Sequence, residues 1–94
     1  MSDSRFDRIK GQLNAEENEI GNIKSRVQQA LSDTDNCLGR MRSTENEFSY
    51  IQESSVSDEK SALKSAIYKM QSVKEYLQQA LNQLYNIDLP DYVE

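Results

Sequence analysis

Large apolar residues recur every three or four positions from Val56 to Ile87, the most regular pattern in the chain. Such steps indicate one buried face of an α-helix. With Val56 as position a of a seven-residue repeat, the apolar residues occupy positions a, d and e. They are Val56, Leu63, Met70, Leu77 and Leu84 at a, Ala66, Val73, Ala80 and Ile87 at d, and Ile67 and Leu81 at e. This stripe is wider than a two-stranded seam and is typical of a helix in a bundle.

The first half of the chain carries a second ladder with the same spacing. Its members, which define position a for the first helix, are Phe6, Leu13, Ile20, Val27, Met41 and Phe48, with Thr34 as the one polar member. Because the phase is kept throughout, we predict one helix on the order of 70 Å long. The run from Ser32 to Asn36 consists of residues that prefer caps and turns, and a break there would give three helices instead of two. The continuous helix is favoured, because a true turn usually resets the hydrophobic phase.

A cluster of small and acidic residues between Glu53 and Glu59 separates the two patterns. It predicts a loop that ends in a helix N-cap at Ser55 or Ser57. A short connection makes two helices antiparallel neighbours. Residues 1–94 are therefore interpreted as one domain, with a helix at about 3–53, a turn at about 54–57, a helix at about 58–87 and an acidic tail at 88–94. Pro90 cannot continue the second helix.

The predicted fold class is all-α, an antiparallel helical hairpin with coiled-coil-like heptad packing. The two helices differ in length, so a turn near Ser55 places Leu84 beside Arg26. Four apolar residues of the first helix then overhang without an intramolecular partner, namely Phe6, Ile9, Leu13 and Ile20. A lone hairpin of this size buries little apolar surface. We therefore expect a homodimer, or a complex with another helical protein, that completes a four-helix bundle.

Composition narrows the classes of function. The net charge of −5 argues against nucleic acid as a partner, and no apolar run is long enough for membrane insertion. The N-terminus lacks a basic region followed by an apolar one, and a single cysteine cannot form an internal disulfide. The expected location is cytoplasmic, with export by a signal-less secretion system as the alternative.

Catalytic chemistry has little support in the sequence. The chain has no histidine and no glycine-rich phosphate loop, and the carboxylates Glu16, Glu17 and Glu19 are interpreted as a solvated face. We expect no enzyme activity, no cofactor and no metal site. Cys37, at position d of the first helix, is expected to be buried as a small apolar residue, and a reactive thiol is the alternative.

The expected function is a non-enzymatic protein–protein interaction module, such as an adaptor, an assembly subunit or a chaperone for a helical client. The candidate interface residues are Phe6, Ile9, Leu13, Ile20, Ile67, Tyr76, Leu81, Tyr85, Leu89 and Tyr92. In size and hairpin shape the chain resembles the small secreted hairpins of the WXG100 class, which implies the alternative of a secretion-system component or substrate. The turn Ser54–Ser57 lacks that class's Trp-x-Gly, and Leu89 stands four residues after Tyr85 where the class has Asp or Glu.

Overall fold

Two α-helices form an elongated hairpin. The computed structural model describes residues 4–51 and 56–90, in which α1 spans Ser4–Phe48 and α2 spans Ser57–Tyr85. The molecule measures 81 × 14 × 14 Å, and the described residues contain no strand. The all-helical prediction is confirmed.

α1 is continuous through the polar run from Ser32 to Asn36, so the three-helix alternative is excluded. The side chains that could have capped a break instead bond within the hairpin. The Thr34 hydroxyl donates to the Ala30 carbonyl at 2.7 Å, and Gln29 Nε2 donates to the Asp33 carboxylate at 3.0 Å. Because their polar groups find these partners without breaking the backbone ladder, the helix continues.

α1 ends at Phe48, earlier than the predicted end near residue 53. The Ser49 N–H is shared between the Glu45 and Asn46 carbonyls, and the Ser49 hydroxyl also donates to Asn46 O at 2.5 Å. The next two amides donate three residues back, and Ile51 N lies 3.0 Å from Phe48 O. Such bonds tighten and terminate a last turn.

α2 begins at Ser57 after Val56, which caps it without a side-chain hydrogen bond. The prediction that Ser57 is the N-cap is therefore wrong, and Ser55 lies outside the described residues. α2 ends at Tyr85, two residues before the predicted end, because the Asn86 N–H is shared between the carbonyls of Asn82 and Gln83.

Two hydrogen bonds between the helices show that they are antiparallel. Gln28 Nε2 donates to Tyr85 Oη at 2.5 Å, and Arg42 Nη2 donates to Gln71 Oε1 at 2.6 Å. Moving 14 residues toward the C-terminus of α1, from Gln28 to Arg42, thus corresponds to moving 14 residues toward the N-terminus of α2, from Tyr85 to Gln71. The register agrees with the predicted position of Leu84 beside Arg26.

The helices pack along positions a and e, a surface that we call the seam. Only two described residues are fully buried, Leu38 at 1% exposure and Leu81 at 5%, and both occupy position e. Seam positions recur in alternating steps of four and three, from Ile20 to Phe48 in α1 and from Val56 to Leu84 in α2. The prediction that position d packs in the hairpin is wrong for Ala66, Val73, Ala80 and Ile87, all of which are exposed.

Side-chain size explains why position e, and not position d, faces the other helix. In the middle of the hairpin, position e carries large residues where position d carries small ones: Leu31, Leu38, Ile67 and Leu81 against Ala30, Cys37, Ala66 and Ala80. Since each buried methylene contributes about 0.8 kcal/mol, rotation toward e stabilises the pair more than rotation toward d.

Three lysines occupy position e of the seam, Lys24 and Lys60 toward its ends and Lys74 near its centre, each half-buried with its ammonium group directed to a partner. Lys74 Nζ lies 2.5 Å from Asp35, Lys60 Nζ donates to the Ile51 carbonyl at 2.5 Å, and Lys24 Nζ lies 4.9 Å from the centroid of the Tyr85 ring. The alkyl stems of these lysines cover apolar surface while the charged groups stay near water. Polar residues are thereby accommodated in the seam.

We expect Leu38→Ala to lower the free energy of unfolding by about 2–5 kcal/mol, because it removes a fully buried side chain. Tyr68→Ala is the control, since Tyr68 is 77% exposed and should change stability by less than about 0.5 kcal/mol. Urea unfolding followed by circular dichroism measures both. Equal losses would contradict the assignment of the seam to positions a and e.

Candidate protein interface

The hairpin has two sides that differ in chemistry. On a helical wheel, position b lies about 80° to one side of the seam and position d about 80° to the other. Both inter-helix hydrogen bonds, Gln28 with Tyr85 and Arg42 with Gln71, join b positions. The b positions of the two helices therefore share one side of the hairpin, and the d positions share the opposite side.

The b positions form what we call the polar side, and several of their polar groups are bonded within the chain. Besides the two hydrogen bonds, Asp35 pairs with Lys74, and the ring of Tyr85 lies under Lys24. Tyr85 was predicted to be an outward anchor for a partner. It is 55% exposed, but its hydroxyl and ring are both engaged within the hairpin.

The d positions form what we call the apolar side, and nothing in the described part of the chain covers it. On the helices it comprises Ile23, Ala30, Cys37, Ala66, Val73 and Ala80, flanked by the polar d residues Glu16, Thr44 and Glu59. The largest members are well exposed, Val73 at 45% and Ile23 at 38%, and Ile87, just beyond the end of α2, is exposed at 43%. Cys37 is also exposed, with Sγ 3.8 Å from Met41 Sδ, so the prediction that it is buried is wrong for the single chain. The cysteine lies on this side because Leu38 takes the place in the seam.

The overhang of α1 is partly covered by the segment that follows α2. Ile87 to Pro90 continues along α1, and Leu89 lines one groove together with Leu13 and Ile20. All three of these leucine and isoleucine side chains are half-buried. The expectation that Leu13 and Ile20 lack an intramolecular partner therefore needs correction, because the tail supplies part of their cover.

The other candidate residues are distributed over different surfaces. Phe6 and Ile9 are half-buried near the start of α1, whereas Tyr76 is 69% exposed beyond the apolar side. Ile67 and Leu81 belong to the seam, so their side chains contribute to packing inside the hairpin instead of to a free surface. Tyr92 lies outside the described residues.

The sequence contains a row of charged residues beside the apolar side that the predictions above did not use. One heptad position next to d is g, and on α1 it carries charges of alternating sign at every seventh residue: Glu19, Arg26, Asp33, Arg40 and Glu47. All five are exposed. A row of charges that follows an apolar stripe is typical of the rim of a helix–helix interface.

No other kind of site stands out. The described residues contain no group of three or more side chains that could hold a metal ion, and neither described helix has an apolar stretch long enough to cross a membrane. Comparison of the chain with protein-family models, with curated proteins and with solved structures finds no match in any of the three. Any functional assignment therefore depends on the surfaces of the hairpin itself.

We expect Leu89→Asp to loosen the tail from α1, because the substitution places a carboxylate in the groove beside Leu13 and Ile20. Amide hydrogen exchange should become faster for residues 10–24 and stay unchanged in the centre of the seam near Leu38. Tyr68→Asp is the control, since it adds the same carboxylate at an exposed position away from the groove. Unchanged exchange at residues 10–24 would show that the tail does not protect the overhang.

Proposed function

We propose that the chain is a non-enzymatic protein–protein interaction module, a helical hairpin that completes a bundle with a second helical unit. Its role would be that of an adaptor, an assembly subunit or a chaperone for a helical client. The observation that carries this proposal is the apolar side, a row of aliphatic residues on two adjacent helices that the chain leaves exposed. Two helices that present such a row form half of a four-helix bundle.

The contrast between the two sides supports a binding role. Exposed aliphatic residues scattered singly over a protein need no explanation. Here, however, the exposed positions are confined to one side, while the polar side is joined by side-chain hydrogen bonds and an ion pair. A contiguous apolar surface with a polar rim marks a protein interaction site.

The thin core supports the same proposal. A described region that buries only Leu38 and Leu81 completely has little to offset the conformational entropy lost on ordering two long helices. Covering the apolar side with further helices would extend the seam into a bundle core with heptad packing. Binding then contributes directly to folding stability.

The alternative, a component or substrate of a specialised secretion system, is supported only by the two-helix hairpin shape. Shape of this kind is shared by proteins with unrelated functions. The interaction module is preferred because it accounts for the difference between the two sides.

We expect the double variant Ile23→Glu with Val73→Glu to abolish association while helicity is retained, because two carboxylates would have to be buried without partners. Two differently tagged copies of the chain report self-association, and recovery of a helical protein from an extract of the native host reports a foreign partner. Tyr68→Glu, which adds the same charge at an exposed position outside the apolar side, is the control.

The proposal fails if the native chain neither pairs with itself nor retains a helical protein. It also fails if the double variant and the control associate equally well, because the apolar side would then have no part in binding.

A further inference from the structure

We infer that the apolar side binds a second copy of this chain, with α1 packed antiparallel against the partner's α1. This inference deepens the proposed function and rests on it, since it names the partner and the register. It is carried by the juxtaposition of the exposed d positions with the alternating charges at position g of α1. On the helical wheel, position g lies about 60° beyond d, at the outer rim of such an interface.

The alternating charges form no ion pairs within their own helix, although Asp33 accepts a hydrogen bond from Gln29. Successive members of the row are seven residues apart, roughly 10.5 Å along the axis, which is too far for an ion pair. Helix side chains interact mainly at spacings of three and four. At those spacings none of Glu19, Arg26, Asp33, Arg40 and Glu47 has a residue of opposite charge. None of the five forms an ion pair among residues 4–51 and 56–90.

The row is complementary to itself when read in the opposite direction. If Arg26 of one copy faces the partner's Asp33, then Glu19 faces the partner's Arg40, and the two-fold symmetry repeats both pairs. A slip of one heptad places Asp33 opposite the partner's Asp33 and Arg26 opposite the partner's Arg40, so every pair becomes repulsive. Alternating charge thus selects among registers as well as attracting a second copy.

Three d positions of α1, Ile23, Ala30 and Cys37, fit the same register, while the polar d residues Glu16 and Thr44 face each other toward its ends. Ala30 lies at the two-fold axis, where its small side chain permits close approach of the two helices, and Ile23 faces the partner's Cys37. The helices overlap from about residue 11 to residue 48, roughly 57 Å. At a helix diameter of about 10 Å, the strip shared by the two α1 helices is on the order of 600 Å² per copy, toward the lower end of the range for specific interfaces.

Two other arrangements fit less well. A slip of two heptads also pairs opposite charges, but it places Cys37 at the axis, leaves Glu19 outside the paired row and shortens the overlap of α1. Packing α1 against the partner's α2, in the register that the hairpin itself uses, brings Lys69 near the partner's Arg40, two like charges. The overhang is a further reason for the first register, since it places the start of α1 beside the partner's residues 39–51.

Cysteine cross-linking under mild oxidation tests the register. A disulfide needs Cα atoms about 4.4–6.8 Å apart. In the inferred register the two Cys37 residues are separated by 14 positions, roughly 21 Å, so the native chain should not cross-link. Ala30→Cys with Cys37→Ser should give a covalent dimer. Ser32→Cys with Cys37→Ser is the matched control, because position 32 lies away from the apolar side, and it should stay monomeric on a denaturing gel.

A charge exchange provides the second arm, measured by the cross-linking yield of the Ala30→Cys, Cys37→Ser chain. Arg26→Glu should weaken the dimer roughly tenfold, because two attractive rim pairs become repulsive. Adding Asp33→Arg should restore dimerisation in the inferred register, because position 26 then carries a negative charge and faces a positive charge at the partner's position 33. In the register centred on Cys37 the same substitution places Arg opposite the partner's Arg40 and would weaken the dimer further. Lys64→Glu makes the same change of charge at an exposed position of the polar side and should leave the yield unchanged.

Cross-linking through native Cys37 but not through position 30 would overturn the inferred register, as would failure of the double exchange to restore dimerisation. If no cysteine variant cross-links and the native chain sediments as a monomer, a second copy is not the partner. The proposed function would then still stand or fall on recovery of a foreign helical protein, so the two failures are distinguishable.

Discussion

A pair of helices shares a single line of contact, and this constraint governs the rest of the molecule. Each helix can direct only about two of its seven heptad positions at the other. This chain has three apolar positions, a, d and e, and the hairpin packs a and e. Among the described residues the row at d is consequently left on the outside of the hairpin.

The division into a polar and an apolar side follows from that choice. Once positions a and e form the seam, position b meets position b across the hairpin, and the side chains there form hydrogen bonds such as Arg42 with Gln71. The same rotation directs Val73 and Ile23 to the opposite side. The orientation of the two helices about their axes thus leaves the polar side hydrogen-bonded and the apolar side exposed.

Most of the fold was predictable from the sequence. The constant phase from Phe6 to Phe48 predicted a continuous α1, and the structure confirms it because Thr34 and Asp33 find hydrogen-bond partners without breaking the helix. The register that places Leu84 beside Arg26 followed from the turn. The predicted C-terminal ends of the helices were less accurate. Both helices end early, where the amides of Ser49 and Asn86 each donate to two carbonyls.

Ile67 and Leu81 at position e were predicted to lie at an interface but pack inside the hairpin, for a physical reason. Periodicity identifies the apolar positions but not which of them face each other, because rotation of about 50° about the helix axis preserves the pattern. Side-chain volume decides the rotation, and it was visible in the contrast of Leu38 and Leu81 with Cys37 and Ala80. The groove between the tail and α1 was less predictable, since it depends on the path of Ile87 to Pro90 after the helix has ended.

The midpoint of thermal unfolding as a function of protein concentration tests the central claim, that a second copy covers the apolar side. For a chain stabilised by self-association the midpoint rises with concentration by mass action. We predict an increase of several degrees between about 1 μM and about 100 μM, with a mass of twice the 10.8 kDa chain at the higher concentration. A midpoint that is independent of concentration, with a folded monomer throughout, would contradict the claim.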